Sequence, residues 1–406
     1  MRQVAVTGLG VLCPLGDDLE TVWAAMTAGQ TGVGPVQAFD PSLYRVKIGG
    51  ELRARQRVET FQKENPGRYE LASIFSILAS QEALQQANLS PDQLTSLRVG
   101  SFFGTTMGEV QLAERMSELN ARKNLGQIEK NSFQKVQASR IAFSVLDFLG
   151  LGGESMVFSN ACASGNYAIG WGFDKIRQGR LDIALCGGVD VFSRVAFTGF
   201  NRLLSLTPDK CRPFSANRKG LVVSEGVGVL LLEDLEKAQA RGAKIYSEIA
   251  GYGLGMDAYH MTSPHPEGVG AYDSIQRAMR EARVEPSQVD FISAHGTGTP
   301  ANDKTESIAI KKVFGPDCSI PVNSIKSMIG HTMGAASAIE AVMTCLSLDR
   351  GRLLPTINWE TADPNCISDC IPNESRSFKG KIALSNSFAF GGNTSCLVVA
   401  KNEAVL

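Results

Sequence analysis

The sequence predicts an α/β layered fold built from two duplicated halves, residues 1–245 and 246–406. Three observations carry this. Helical and strand patterns alternate along the chain, as in layered α/β proteins. One order of elements occurs twice, roughly 200 residues apart. Two helices built from small residues stand at matching places in the two copies.

In the first copy, Leu71–Asn88 carries apolar and alanine residues at helical spacing. Leu89-Ser-Pro-Asp-Gln-Leu94 follows, then an apolar strand from Val99 and the pair Gly104-Thr105. In the second, Ala271–Arg283 reads as the helix, followed by Val284-Glu-Pro-Ser-Gln-Val289, the strand from Phe291, and Gly296-Thr297. A buried strand is expected at Met156–Ser159, ahead of a helix opening at Asn160-Ala-Cys-Ala-Ser-Gly165. Its counterpart opens at His331-Thr-Met-Gly-Ala-Ala336. Helices so rich in Gly, Ala and Ser allow close backbone approach, so both are expected to be buried. The first half is longer, and residues 106–140 and 190–220 read as its insertions.

Composition excludes several classes. With 40 basic and 41 acidic side chains the net charge is −1, which gives no electrostatic basis for binding nucleic acid or a membrane surface. No apolar run approaches the ~18 residues of a membrane span, and the N-terminal run is too short for a signal peptide. Nine scattered cysteines, an odd count, fit reduced thiols in a cytoplasmic protein rather than a disulfide framework. The four histidines lie outside any zinc-ligand spacing, so no metal is expected. The glycine runs near Gly8 and Gly251 do not complete a dinucleotide fingerprint.

Cys162 falls at the first turn of the first small-residue helix. The partial positive charge of a helix N-terminus favours a thiolate there, so a lowered thiol pKa is expected. Backbone N–H groups at such a turn can also receive an oxyanion. From position alone, a small buried core cysteine is the alternative. His295 ends an apolar strand and opens His-Gly-Thr-Gly-Thr-Pro300; in α/β sheets ligands bind at such strand ends. His331 follows Lys326-Ser-Met-Ile-Gly330 and falls near the place of Cys162 in the other copy. His260 and His265 lie in a polar segment and read as loop residues. Asn386-Ser-Phe-Ala-Phe-Gly-Gly-Asn-Thr394 is a glycine turn able to present backbone N–H groups and an aromatic ring.

Together and in this order, these segments resemble the β-ketoacyl-[acyl-carrier-protein] synthases of fatty-acid and polyketide synthesis, over essentially the whole chain. Ala161-Cys162-Ala-Ser-Gly, Ala294-His295-Gly-Thr-Gly-Thr and Lys326-Ser-Met-Ile-Gly-His331 are the most specific parts, and they fit the elongating Cys-His-His branch. The resemblance implies a thiolase-type fold of five layers, αβαβα, usually dimeric. It implies acyl transfer from acyl carrier protein to Cys162, then decarboxylative condensation with a malonyl group whose thioester oxygen His295 and His331 hold. It pairs Lys326 with Glu306 to position His331, and assigns the backbone N–H groups of Cys162 and Phe390 to an oxyanion hole. It makes Phe390 an aromatic gate, puts Thr297 and Thr299 on the pantetheine arm, and places Met107 where a side chain limits acyl-pocket depth. No cofactor is implied beyond the carrier's phosphopantetheine. Lys63 and Arg68 lie where the family receives its acidic carrier protein.

The chain departs from the family pattern at Asn160, Ser215, Gly298, Ala389 and the order Asn393-Thr394. Those departures favour a specialised type II polyketide or polyene system, with a homodimer or a heterodimer with a chain-length-factor-like subunit. The alternatives are a housekeeping fatty-acid elongation synthase, a non-catalytic chain-length partner, and a thiolase or thioester hydrolase. Cys162 speaks against the non-catalytic partner, and a malonyl requirement would exclude the last two.

Overall fold

The computed structural model describes residues 2–402. The first half contributes strands β1 (Val4–Leu12), β2 (Val99–Gly104), β3 (Glu154–Phe158), β4 (Ile183–Asp190) and β5 (Gly226–Asp234). The second contributes β6 (Ser247–Met256), β7 (Phe291–Ser293), β8 (Val322–Asn323), β9 (Ile382–Phe388) and β10 (Asn393–Ala400). All ten are joined in the order β8-β7-β9-β10-β6-β1-β5-β4-β2-β3.

Outward from the centre, β1 pairs antiparallel with β5, β5 antiparallel with β4, and β4 and β2 pair parallel with their outer neighbours. Outward on the other side, β6, β10, β9, β7 and β8 repeat that sequence of strands and directions. The two sets meet at a short pairing of Val4–Val6 with Ser247–Ile249. Duplication is thus written in the hydrogen-bond topology as well as in the residues. Both copies even share a capping box ahead of the second strand, Ser90 with Gln93 and Glu285 with Gln288.

Helices α1 (Leu71–Gln86) and α2 (Arg140–Leu149) cover the outer face of the first sheet. Helices α4 (Val269–Ala282) and α5 (Pro300–Phe314) lie outside the second. Between the sheets run α3 (Ser164–Arg177) and α6 (Ala336–Arg350), each touching strands of both halves. That is the five-layered arrangement. Helix α6 is buried from Ala336 to Leu348, and it meets α3 with almost no side chain between them. A Cβ on Gly165 would lie 2.7 Å from Ser337 Oγ and 2.8 Å from Ala338 N. The hydroxyl of Ser337 instead accepts a hydrogen bond from Asn166 N at 3.0 Å.

The first half is longer at two places. Between β2 and β3 stand Val110–Ala121 and further short helical turns; between β4 and β5 stand Arg194–Arg202 and the loop after it. At the second of these places the other half needs only the tight turn from Phe388 to Asn393. One expectation is corrected: β3 is not a buried strand but the outer edge of the sheet, with Met156 43% exposed. Its apolar residues reflect a strand paired on one side only. Among the described residues, no helix is long and apolar enough to cross a membrane.

The α3–α6 contact leaves no room for a methyl group. Gly165→Ala is expected to cost about 1–3 kcal/mol through overpacking, read as a lowered urea midpoint at unchanged slope.

Candidate active site

Parallel strands β2, β3, β4 and their twins β7, β8, β9 end on one side of the sheet, and the main candidate residues lie beyond such ends. Met107 follows β2, Cys162 follows β3, His295 follows β7, Lys326 and His331 follow β8, and Phe390 follows β9.

Cys162 sits in a 3-10 turn, Ala161–Ala163, that leads into α3. Ala161 has φ +49, a left-handed conformation costly for a residue with a Cβ. The second half has the same turn, Met333–Ala335 ahead of α6, and Met333 has φ +53. The structural twin of Cys162 is therefore Gly334, and His331 stands three residues before it.

His331 Nε2 lies 3.0 Å from Cys162 Sγ, with one hydrogen between the two atoms. The rings of His295 and His331 are 5.4 Å apart, nearly perpendicular. Lys326 Nζ is 3.4 Å from His295 Nδ1. An ammonium can only donate, so Nδ1 is the acceptor and the ring hydrogen of a neutral His295 stays on Nε2. All four side chains are buried.

Lys326 does not pair with Glu306, as the family resemblance implied. Its salt bridge is to Glu340 of α6, and its imidazole neighbour is His295 rather than His331. Glu306 does something else: it accepts hydrogen bonds from His295 N at 2.9 Å and Gly296 N at 2.8 Å. It thereby fixes the backbone of the turn that presents His295. Gly296, at φ +39, leaves no space for a side chain beside Ser324. Glu340 was missed in the sequence, although it stands as a lone acid in the otherwise uncharged run Ala336–Leu348.

Burial governs the electrostatics. It pushes the Cys162 thiol up to about 12, with Lys326 opposing and Asp190 adding to the rise. The expected thiolate is therefore not found: desolvation outweighs the helix terminus. Burial, then the Lys326 charge, holds both histidines well below 6.5, and for His295 the neighbouring His331 adds to it. Burial also raises Glu306 and Glu340 to about 7. The resting site is thus a neutral thiol facing two neutral imidazoles.

These groups end a cavity of about 370 Å³ that opens to the surface, lined by Cys162, His295, His331, Thr297, Thr299 and Phe390 among others. The hydroxyls of Thr297 and Thr299 are 2.9 Å apart on its wall. Phe390 packs against Phe200 at the mouth, ring centroids 5.6 Å apart and tilted by 36°. Its neighbours Ala389 and Gly391 donate their N–H groups to Asn393 O and Met261 O, while Phe390 N has no acceptor among the described residues. His260, read as a plain loop residue, also lines the mouth. Met107 does not. Its N–H is bonded to Asp190 at 3.0 Å. Lys63 and Arg68 are exposed, outside this cavity.

Residues 1–238 match the family model "Beta-ketoacyl synthase, N-terminal domain" and residues 246–360 the corresponding "C-terminal domain". The chain is 36% identical to the 3-oxoacyl-[acyl-carrier-protein] synthase 2 of Synechocystis sp., over 99% of both chains. Among solved structures it is similar to the ishigamide ketosynthase/chain length factor, with TM-score 0.91 and 38% identity over 98% of this chain and 99% of that one. It is also similar to a type II PKS ketosynthase bound to its acyl-carrier protein and the hexaketide, with TM-score 0.89 and 33% identity over 99% and 100%.

Lys326→Met removes a charge that keeps both histidines neutral. Their pKa values then rise toward 6.5, so on acidification the neutral, donating form is lost at a higher pH. The acid limb of malonyl decarboxylation, followed as CO2 release against pH, is expected to move upward; an unmoved limb would remove Lys326 from the electrostatics of the pair.

Proposed function

This chain belongs to the beta-ketoacyl synthase family, and on that footing we propose that it condenses an acyl group on Cys162 with malonyl-acyl carrier protein, in a type II polyketide, polyene or other specialised fatty-acid pathway. The observation that carries the reading is the convergence of Cys162, His331 and His295 at the end of one cavity, with Lys326 fixing the hydrogen of His295 on Nε2.

In the first step the Cys162 sulfur attacks the acyl thioester of the carrier. A new carbon–sulfur bond forms, the carrier thiol leaves, and the proton of Cys162 passes through His331 to the departing sulfur. A neutral thiol 3.0 Å from a neutral imidazole is suited to this, because the charge appears only as the bond forms. The tetrahedral oxyanion is received by the N–H groups of Cys162 and Phe390. In the second step the malonyl carboxylate leaves as CO2, and its bonding electrons form the thioester enolate. His295 donates to the enolate oxygen from Nε2, and His331 joins it in the tautomer that carries its hydrogen on Nε2. The enolate carbon then attacks the acyl carbonyl, the bond to Cys162 breaks, and the departing thiolate takes up one proton from water through His331, which balances the carboxylate charge lost with CO2. Thr297 and Thr299 line the route of the pantetheine arm, and the Phe390–Phe200 pair stands across it. The route calls for no cofactor of the enzyme's own.

Two features bear on partners. The outer edge of β3 leaves its backbone groups unpaired, and exposed Met156, Trp171 and Phe143 lie on β3 and on the helices beside it. Such an edge calls for a covering chain, a second copy or a chain-length-factor-like subunit. Lys63 and Arg68 offer positive charge to an acidic carrier protein. The 36% identity to 3-oxoacyl-[acyl-carrier-protein] synthase 2 keeps a fatty-acid elongation homodimer as the second reading.

Intact-mass analysis with a panel of acyl-carrier proteins tests both. Wild type is expected to gain an acyl mass that Cys162→Ala lacks, and retained loading in that variant would overturn the nucleophile. His295→Ala is expected to slow condensation by about 10²–10³ through loss of one oxyanion donor. Turnover of saturated chains by this chain alone would select the fatty-acid reading, and dependence on a second subunit the polyketide one.

A further inference from the structure

Asp190 ends β4 with 1% of its surface exposed, and among the described residues no basic side chain pairs with it. It nonetheless collects four hydrogen bonds. One oxygen accepts from Thr105 Oγ1 at 2.7 Å and Met107 N at 3.0 Å. The other accepts from Thr106 N at 2.8 Å and Gly334 N at 2.6 Å. A carboxylate so deep and without a cation is costly to keep, and burial pushes its acid form up. Only a group that accepts on both sides satisfies four donors; an amide would turn its own NH₂ toward two of them.

The donors come from two turns far apart in sequence. The Thr105–Met107 turn follows β2, and Gly334 opens the turn before α6. They touch backbone to backbone: a Cβ on Gly334 would lie 2.7 Å from Thr105 Cα and Thr106 N. The first turn also leans on the cysteine elbow, where Thr105 N donates to Phe158 O and Thr105 O accepts from Ser164 Oγ. Asp190 and Met107 do not line the mouth cavity that ends at Cys162.

The twofold relation of the halves sharpens the point. The twin of Asp190, at the end of β9, is Phe388, so the fold itself does not require a carboxylate there. The twin of the Met107 turn is the His295 turn, whose N–H groups are held by Glu306. The twin of Cys162 N, assigned above to the oxyanion, is Gly334 N, and Asp190 occupies it with an anion of the chain's own. Each half pins the turn after its second strand with a buried carboxylate, and in one half that turn presents a reacting group.

We propose that Asp190 is the positioning residue for acyl-chain selection: by pinning the Met107 turn to the Gly334 turn it fixes the floor of the acyl pocket behind Cys162. The inference rests on the proposed function, in which Cys162 carries the acyl group, and on the family resemblance, which puts Met107 where a side chain limits acyl-pocket depth. Asp190→Asn breaks one pair of bonds and frees the floor to recede. Gly334→Ala forces the same two turns apart without touching Asp190.

The experiment offers each protein an equal mixture of butyryl- and dodecanoyl-acyl carrier protein and reads the ratio of the two acyl-enzymes by intact mass. Wild type that loads neither chain sinks the proposed function, not the role of Asp190 within it. With wild type loaded, both variants are expected to raise the dodecanoyl-to-butyryl ratio about tenfold, the scale on which apolar pockets discriminate chain length. Glu82→Gln is the matched lesion. That buried carboxylate holds Val11 N and Leu19 N away from the site, and its loss is expected to leave the ratio unchanged. An unchanged ratio in the two variants, a shift toward butyryl, or the same shift in Glu82→Gln overturns the inference. If Asp190→Asn yields no folded protein, Gly334→Ala decides it alone.

Discussion

Where α3 crosses α6, two backbones approach with only a hydroxyl and a methyl group between them. The cysteine elbow and the histidine loop are the leads into these two helices, so the distance between helix axes sets the distance between Sγ and Nε2. A larger residue at Gly165 would move both leads. Close approach is possible only because the facing residues are Gly165, Ser337 and Ala338, and it is tolerable because both helices are wrapped by sheet on two sides. The catalytic distance is thus a packing distance, determined many atoms from the chemistry.

The second constraint is that basic side chains are scarce in this interior, while buried carboxylates are not. Lys326 and Glu340 form the ion pair beside the histidines, and several other buried carboxylates are satisfied mainly by backbone N–H groups. A carboxylate can accept from two segments at once, so it acts as a clamp between turns that share no other bond. In this chain Glu306 clamps the His295 turn and Glu109 the start of α1. Such clamps hold loops without placing a cation near the site, where a further positive charge would alter the imidazoles.

Much of this was legible in the sequence, for reasons that can be named. The duplication showed because matching helices are followed by matching capping boxes, a local signal that survives divergence. Cys162, His295 and His331 showed because residues after strand ends of a twofold fold can converge, whereas Lys326 was supplied by the family resemblance. What stayed hidden depends on direction rather than position. Spacing does not say which face of α6 meets Lys326, so Glu340 was passed over for Glu306. Nor does it say that β3 lies at a sheet edge, since an edge strand and a central one can share the same apolar residues. The thiol pKa was misjudged because a helix terminus is visible in a sequence and desolvation is not. Asp190 gave no signal, as its partners lie on segments some hundred residues away on either side.

The protonated state of Cys162 has a consequence outside catalysis. Peroxide and stray electrophiles attack thiolates, so a thiol held up near 12 stays off the first rung of the oxidation ladder while the site is empty. The other eight cysteines are buried as well. The chain therefore keeps its nucleophile in the protonated form while the site is empty, and the same burial that shelters it from water sets that form.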